Sequence, residues 1–146
     1  MSVKLFKAQD YDKFFIKKMM IDAYDDDALL HTGGDYFNDN ADDFFEEIIK
    51  EGNDFYLIEK GNKIIGALSI KNNEILSIFI DPFLHNFGYG KKVMELIDEI
   101  YKKDFIVRIP SYSNRLYHFF SKCSFKVLNG ETLNYEEYII MEKKYE

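Results

Sequence analysis

The chain has 146 residues, 47% of them hydrophobic and 17% aromatic, which suits one well-packed globular domain and excludes a disordered chain. No apolar run approaches the ~18 residues of a spanning helix. The start, Met-Ser-Val-Lys-Leu-Phe-Lys, lacks a signal peptide's apolar stretch, and Cys123 alone can form no internal disulfide, so the expected setting is cytoplasmic. The net charge of −7 is uneven: residues 1–60 carry 15 acidic and 7 basic side chains, and Asp22 to Glu47 holds ten acids with no Lys or Arg. A field of that sign repels nucleic acid and attracts cations.

Val3 to Lys7 alternates apolar and charged residues and predicts a first, edge strand. Asp10 can cap a helix whose apolar positions Phe14, Phe15, Met19, Ala23 and Tyr24 carry it towards about Leu30. Asn40 to Lys50 predicts a second helix, with Phe44, Phe45, Ile48 and Ile49 as its apolar face. Three short apolar runs follow, Phe55–Glu59, Ile64–Ile70 and Ile75–Ile80, separated by turns at Lys60–Lys63 and Asn72–Asn73, and they predict an antiparallel meander.

Asp81-Pro82 stops the third run, because proline fixes φ and donates no ladder hydrogen bond. From Gly90, apolar Val93, Met94, Leu96, Ile97, Ile100 and Tyr101 repeat at helical spacing, so Gly88 and Gly90 stand where a helix begins. That is an anion-binding position, since the first N–H groups and the positive dipole end lie there. Phe105 to Ile109, closed by Pro110, follows the helical crossover and is expected to lie parallel to the Ile75 strand. Ligands gather at the carboxyl ends of such strands. A helix at Asn114–Lys122 and strands at Phe125–Leu128 and Glu137–Glu142 complete an α+β chain around a mixed, mostly antiparallel sheet of six or seven strands with about four helices.

The glycine turn is neither a Rossmann loop, which lacks its third glycine here, nor a Walker loop, which would need Ser or Thr at Lys92 and glycine at His85. His85-x-x-Gly88-x-Gly90 resembles the Arg/Gln-x-x-Gly-x-Gly/Ala pyrophosphate loop of the GCN5-related N-acetyltransferases, the GNAT family. Ile80-x-Pro82 before the loop, the order of elements over nearly the whole chain, and Phe119-Phe120-Ser121-Lys122-Cys123-Ser124-Phe125, similar to the family's Phe-Tyr-x-x-x-Gly-Phe, support the resemblance. It implies one acetyltransferase domain over residues 1–146, with acetyl-CoA lying between splayed fourth and fifth strands. The backbone of Phe79 and Ile80 would take the pantetheine arm. His85, Asn86, Phe87, Gly88, Tyr89, Gly90 and Lys91 would surround the pyrophosphate, with Asn114 as a further cofactor contact.

Acetyl transfer to an amine needs a neutral nucleophile, a stabilised oxyanion and a proton for the thiolate. Glu74 stands eleven residues before His85, the offset at which histone-type members of the family hold their general base, and is the base candidate. The family's usual tyrosine aligns with Phe120, which has no hydroxyl. Tyr117, one helical turn back, is the proton-donor candidate, ahead of Tyr112 and Tyr138. His85 replaces a permanently charged arginine with a side chain mostly neutral at pH 7, which shifts phosphate binding towards the loop amides.

Since the first two helices border the acceptor site in the family, Asp25, Asp26 and Asp27 are candidate contacts for a cationic acceptor. The expected acceptor is a small-molecule amine or a basic peptide N-terminus, with neither nucleic acid nor membrane as partner and no metal. A homodimer stays open. The rival is a catalytically silent acyl-CoA sensor of the same fold.

Overall fold

The computed structural model describes residues 3–9, 12–25, 41–50, 52–81, 84, 88–133 and 135–146. They form seven strands and four helices: β1 (Val3–Lys7), α1 (Asp12–Asp25), α2 (Ala41–Ile48), β2 (Asp54–Lys60), β3 (Lys63–Lys71), β4 (Glu74–Ile80), α3 (Tyr89–Tyr101), β5 (Phe105–Pro110), α4 (Asn114–Lys122), β6 (Lys126–Leu133) and β7 (Glu136–Lys143). One sheet runs in the order β1-β2-β3-β4-β5-β7-β6. Every pairing is antiparallel except β4 with β5, the pair joined by the α3 crossover.

The sheet buries both faces, which explains why β2, β3 and β4 read as apolar runs rather than as strict alternation. On one face α3 and α4 contribute Val93, Met94, Ile97, Leu116 and Phe120 to a core with Ile58, Ile65, Ile75, Ile78, Val107 and Ile109. On the other, Ile16 of α1 and Phe45 and Ile48 of α2 pack on Phe55, Leu57, Ala67 and Phe79. Lys17 and Asp42 pair across α1 and α2, and Ser69 donates to the Ile48 carbonyl at the end of α2. The far end of α3 is tied to β2 where the Tyr101 hydroxyl donates to Asp54 Oδ2 at 2.6 Å. Lys7 also bonds Asp54, at 2.7 Å. These two bonds, Lys7's first, hold the Asp54 carboxyl below its ordinary range.

Two features of β4 shape its far end. Ser69 faces Ser77 while Ile70 faces Ile75, so Leu76 is an extra residue, a bulge that re-aims the second half of the strand. The ladder with β5 holds only Glu74↔Ile106 and Ile75↔Val107. Beyond those pairs the two strands part.

The element order matches the sequence expectation, with differences at boundaries. β6 extends to Leu133 rather than stopping at Leu128, since Asn129-Gly130-Glu131-Thr132 is a polar edge segment, exposed except at half-buried Glu131, that keeps its pairing with β7. α1 is described to Asp25 and α2 from Ala41 to Ile48, so the expected extension of α1 towards Leu30 lies outside the described residues. Among the described residues no helix is long and apolar enough to cross a membrane.

Candidate active site

Gly88 is the N-cap of α3, with φ +83°, a left-handed conformation that glycine adopts without steric cost. It offers no side-chain cap, and the first ladder bond of the helix runs from the Lys92 N–H to the Gly88 carbonyl at 3.1 Å. The N–H groups of Gly90 and Lys91 therefore lie ahead of the ladder, at the positive end of the dipole. Gly90 leaves room for a neighbouring ring: a Cβ there would stand 2.6 Å from Phe119 Cε1, and that side chain would have to shift. The missing Cβ lets the first turn of α3 close against α4.

Between these two helices and the end of β4 lies a cavity of about 610 Å³, lined by Ile80, Leu84, Gly88, Tyr89, Gly90 and Lys91 from one side and Arg115, His118, Phe119, Lys122 and Cys123 from the other. The α4 contributors recur at three-to-four spacing, so they share one face of that helix. Ser113 starts α4 by accepting from the Leu116 N–H at 3.3 Å, which sets the phase of that face. Lys91, Arg115 and Lys122 give the lining three basic side chains, and among the described residues no carboxylate lines it. In a chain of net charge −7, that is a local concentration of basic side chains. Lys92 points elsewhere and pairs with Glu95 at 3.6 Å. Cys123 lines the cavity as a protonated thiol, since burial pushes its pKa up to about 11.

The chain matches the sequence profile of the Acetyltransferase (GNAT) family over residues 17–125. It belongs to the GNAT acetyltransferases. Members of this family transfer an acetyl group from acetyl-CoA to an amine, and the sheet with its one parallel pair is the GNAT fold. Similar solved structures include a GCN5-related N-acetyltransferase from Rhodopseudomonas palustris, at 12% identity and TM-score 0.76 over 99% of this chain and 96% of that one. The PaiA N-acetyltransferase of Thermoplasma acidophilum, solved with coenzyme A, shares 19% identity at TM-score 0.69 over 99% and 100%. The spermidine N-acetyltransferase of Vibrio cholerae, with CoA and spermine, shares 13% at TM-score 0.69 over 98% and 95%. No curated relative matches by sequence.

The cavity fits acetyl-CoA on its own residues. A GNAT cofactor carries a pyrophosphate, which suits the Gly88–Lys91 turn, and a pantetheine arm with two amides, which suits strand backbone at the end of β4. Of the residues expected to hold it, Ile80, Gly88, Tyr89, Gly90 and Lys91 line one cavity. Phe79 is buried on the opposite face with Ala67 and Phe45, so its backbone is what it can offer. Asn114 is exposed at the start of α4. His85, Asn86 and Phe87 lie outside the described residues, as do Asp26 and Asp27, while Asp25 is the last residue of α1.

The catalytic candidates stand apart from the cavity lining. Glu74, at the opposite end of β4, is roughly 20 Å of strand from Ile80, and its Oε2 accepts from Arg108 Nη1 at 2.8 Å. Tyr117 is exposed on the flank of α4, edge-on to His118 with ring centroids 5.6 Å apart. Phe120 is fully buried and packs edge-to-face on Phe125 at 5.2 Å. Tyr112 is exposed on the turn after β5, and Tyr138 is buried on β7 opposite Pro110.

Sequence reasoning missed Arg115, His118 and Lys122, though their spacing on one predicted helix was a usable signal. Reversing the charge of Lys122 or Arg115 to Glu is expected to weaken CoA binding about five- to tenfold each, with a shallower salt dependence than the unmodified chain. Calorimetric titration at two ionic strengths checks it. An unchanged affinity would remove α4 from the phosphate site.

Proposed function

We propose that this GNAT domain transfers the acetyl group of acetyl-CoA directly to the primary amine of a cationic small molecule or basic peptide N-terminus, with Glu74 as general base. The observation that carries the reading is the cavity at the α3 N-terminus, where the first-turn amides and the side chains of Lys91, Arg115 and Lys122 border one space at the end of β4. The amine nitrogen attacks the thioester carbonyl, forming the C–N bond, and its proton passes through water to Glu74. The C–S bond then breaks. CoA departs as a thiolate, a good leaving group, and Tyr117 is the side-chain donor proposed for its proton.

The approach of the amine follows from the sheet. Val107 and Ile109 face the α3/α4 core, so Arg108 between them faces the other way; Ile75 does likewise and sends Glu74 to that same opposite face. The cofactor cavity lies on the α3/α4 side. Acceptor and donor therefore meet through the gap between β4 and β5, with the acidic α1–α2 stretch, including Asp25, Asp26 and Asp27, as the field that draws a cation to the acceptor face.

Buried Phe120 favours a second reading, an acyl-CoA-binding domain without turnover, because the family's usual proton donor is replaced by a core side chain. A thiol-release assay over polyamines, amino sugars and basic peptides, paired with CoA titration, decides between them. Turnover is expected, and Glu74→Gln is expected to lower kcat about 100-fold with the acetyl-CoA Kd unchanged. Binding without turnover for any amine would favour the silent domain.

A further inference from the structure

We infer that Arg108 is the positioning residue for the general base, holding the Glu74 carboxylate at the point where β4 and β5 part, with Glu131 of β6 steadying the guanidinium from its other edge. This rests on the reading of Glu74 as base. Arg108 is the first β5 residue beyond the last β4–β5 pair, Ile75↔Val107. Its side chain reaches back across the strands, and Nη1 donates to Glu74 Oε2 at 2.8 Å. Nε stands 3.3 Å from Glu131 Oε1, close enough for an ion pair but without the alignment of a hydrogen bond. The three residues come from β4, β5 and β6, and their side chains keep only 22–33% of their surface exposed.

This row differs from an ordinary surface ion pair in place and in charge. An exposed pair has two long side chains in water and contributes little. Here one N–H of a planar guanidinium holds a shorter carboxylate beside the gap through which the amine reaches the thioester, and a guanidinium suits that task better than an ammonium because its donors are fixed in one plane. The row carries one net negative charge, so an arriving ammonium is still attracted after Arg108 has been satisfied. Removing Arg108 frees Glu74 to turn away from the gap, and misplacement by about an ångström is enough to cost up to ~100-fold in rate.

The test is a double-mutant cycle in kcat, using the amine with the highest turnover in the panel above. Arg108→Met is expected to lower kcat about 10- to 50-fold with KM for acetyl-CoA within about twofold, and Arg108→Lys to recover part of the loss. Glu131→Gln is expected to cost about threefold. In a Glu74→Gln background, Arg108→Met should cost nothing further, since it acts through Glu74. A merely structural role would lower kcat by the same factor in both backgrounds and would overturn the inference, as would full activity of Arg108→Met. If Arg108→Met fails to fold, Arg108→Lys carries the same cycle. Loss of activity in Glu74→Gln without any effect of Arg108 overturns this inference alone. A Glu74→Gln chain with unchanged kcat, or no turnover with any amine while CoA still binds, overturns the base reading and this inference with it.

Discussion

Gly88→Glu is expected to weaken CoA binding at least ~100-fold, a loss of about 2.7 kcal/mol. Two terms act together. Gly88 holds φ +83°, where a side chain costs about 1–2 kcal/mol. A carboxylate at the N-cap would also accept from the helix amides itself and place negative charge where the pyrophosphate belongs. Among the described residues, chain neighbours aside, no heavy atom lies within 4 Å of a Cβ at this position, so the loss is electrostatic and conformational rather than a clash. Gly88→Ala isolates the conformational part and is expected to lose much less. Titration of both folded variants with CoA measures the difference. Equal affinity of Gly88→Glu and the unmodified chain would reduce the turn to a strand-to-helix connection.

The largest expected effect on stability is at Gly66, in the middle of β3. A Cβ there would lie 2.1 Å from the Phe79 carbonyl oxygen and 3.0 Å from Ile80 Cα, both of them backbone atoms of β4 that cannot swing aside. Gly66→Ala must therefore push β3 and β4 apart at the Gly66↔Ile80 pair. A cost of about 3 kcal/mol is expected, which for a chain of this size lowers Tm by roughly 10 °C. The displaced segment ends at Ile80 in the cavity wall, so CoA binding should fall as well. Gly130→Ala is the control: the nearest atom to its Cβ would be the Tyr138 carbonyl oxygen at 3.6 Å, an ordinary contact. Thermal melts of the two variants test the contrast, and a Gly66→Ala chain as stable as the parent would mean that the strands yield at little cost.

Much of the fold was legible because its signals are local. β4 ends at Ile80 and β5 at Pro110, as the two prolines of the sequence predict, Gly88-x-Gly90 marks a helix start, and the turns between β2, β3 and β4 are written in Gly61 and in Asn72, which adopts φ +56°. β6 was expected to stop at Leu128 because the residues after it are polar, and a strand at a sheet edge needs no apolar run. The Leu76 bulge had no signal at all. It exists because Ser69 and Ile70 on β3 leave one residue of β4 unmatched.

The site divides in the same way. Sequence alone determined the glycine turn at the start of α3, since Gly88, Gly90 and Lys91 are close enough for one helix start to bring them together, and the family resemblance followed from them. It also determined the acidic excess between Asp22 and Glu47 and the substitution of Phe120 for a tyrosine. Only the tertiary structure decided that Lys91 rather than Lys92 faces the cavity, that Arg115 and Lys122 join it, and that Glu74 is held by Arg108, 34 residues away. The physical reason is separation. Helix phase and turn chemistry act within a few residues, whereas which side chains meet across β4, β5 and β6 depends on a register set by packing both faces of the sheet at once.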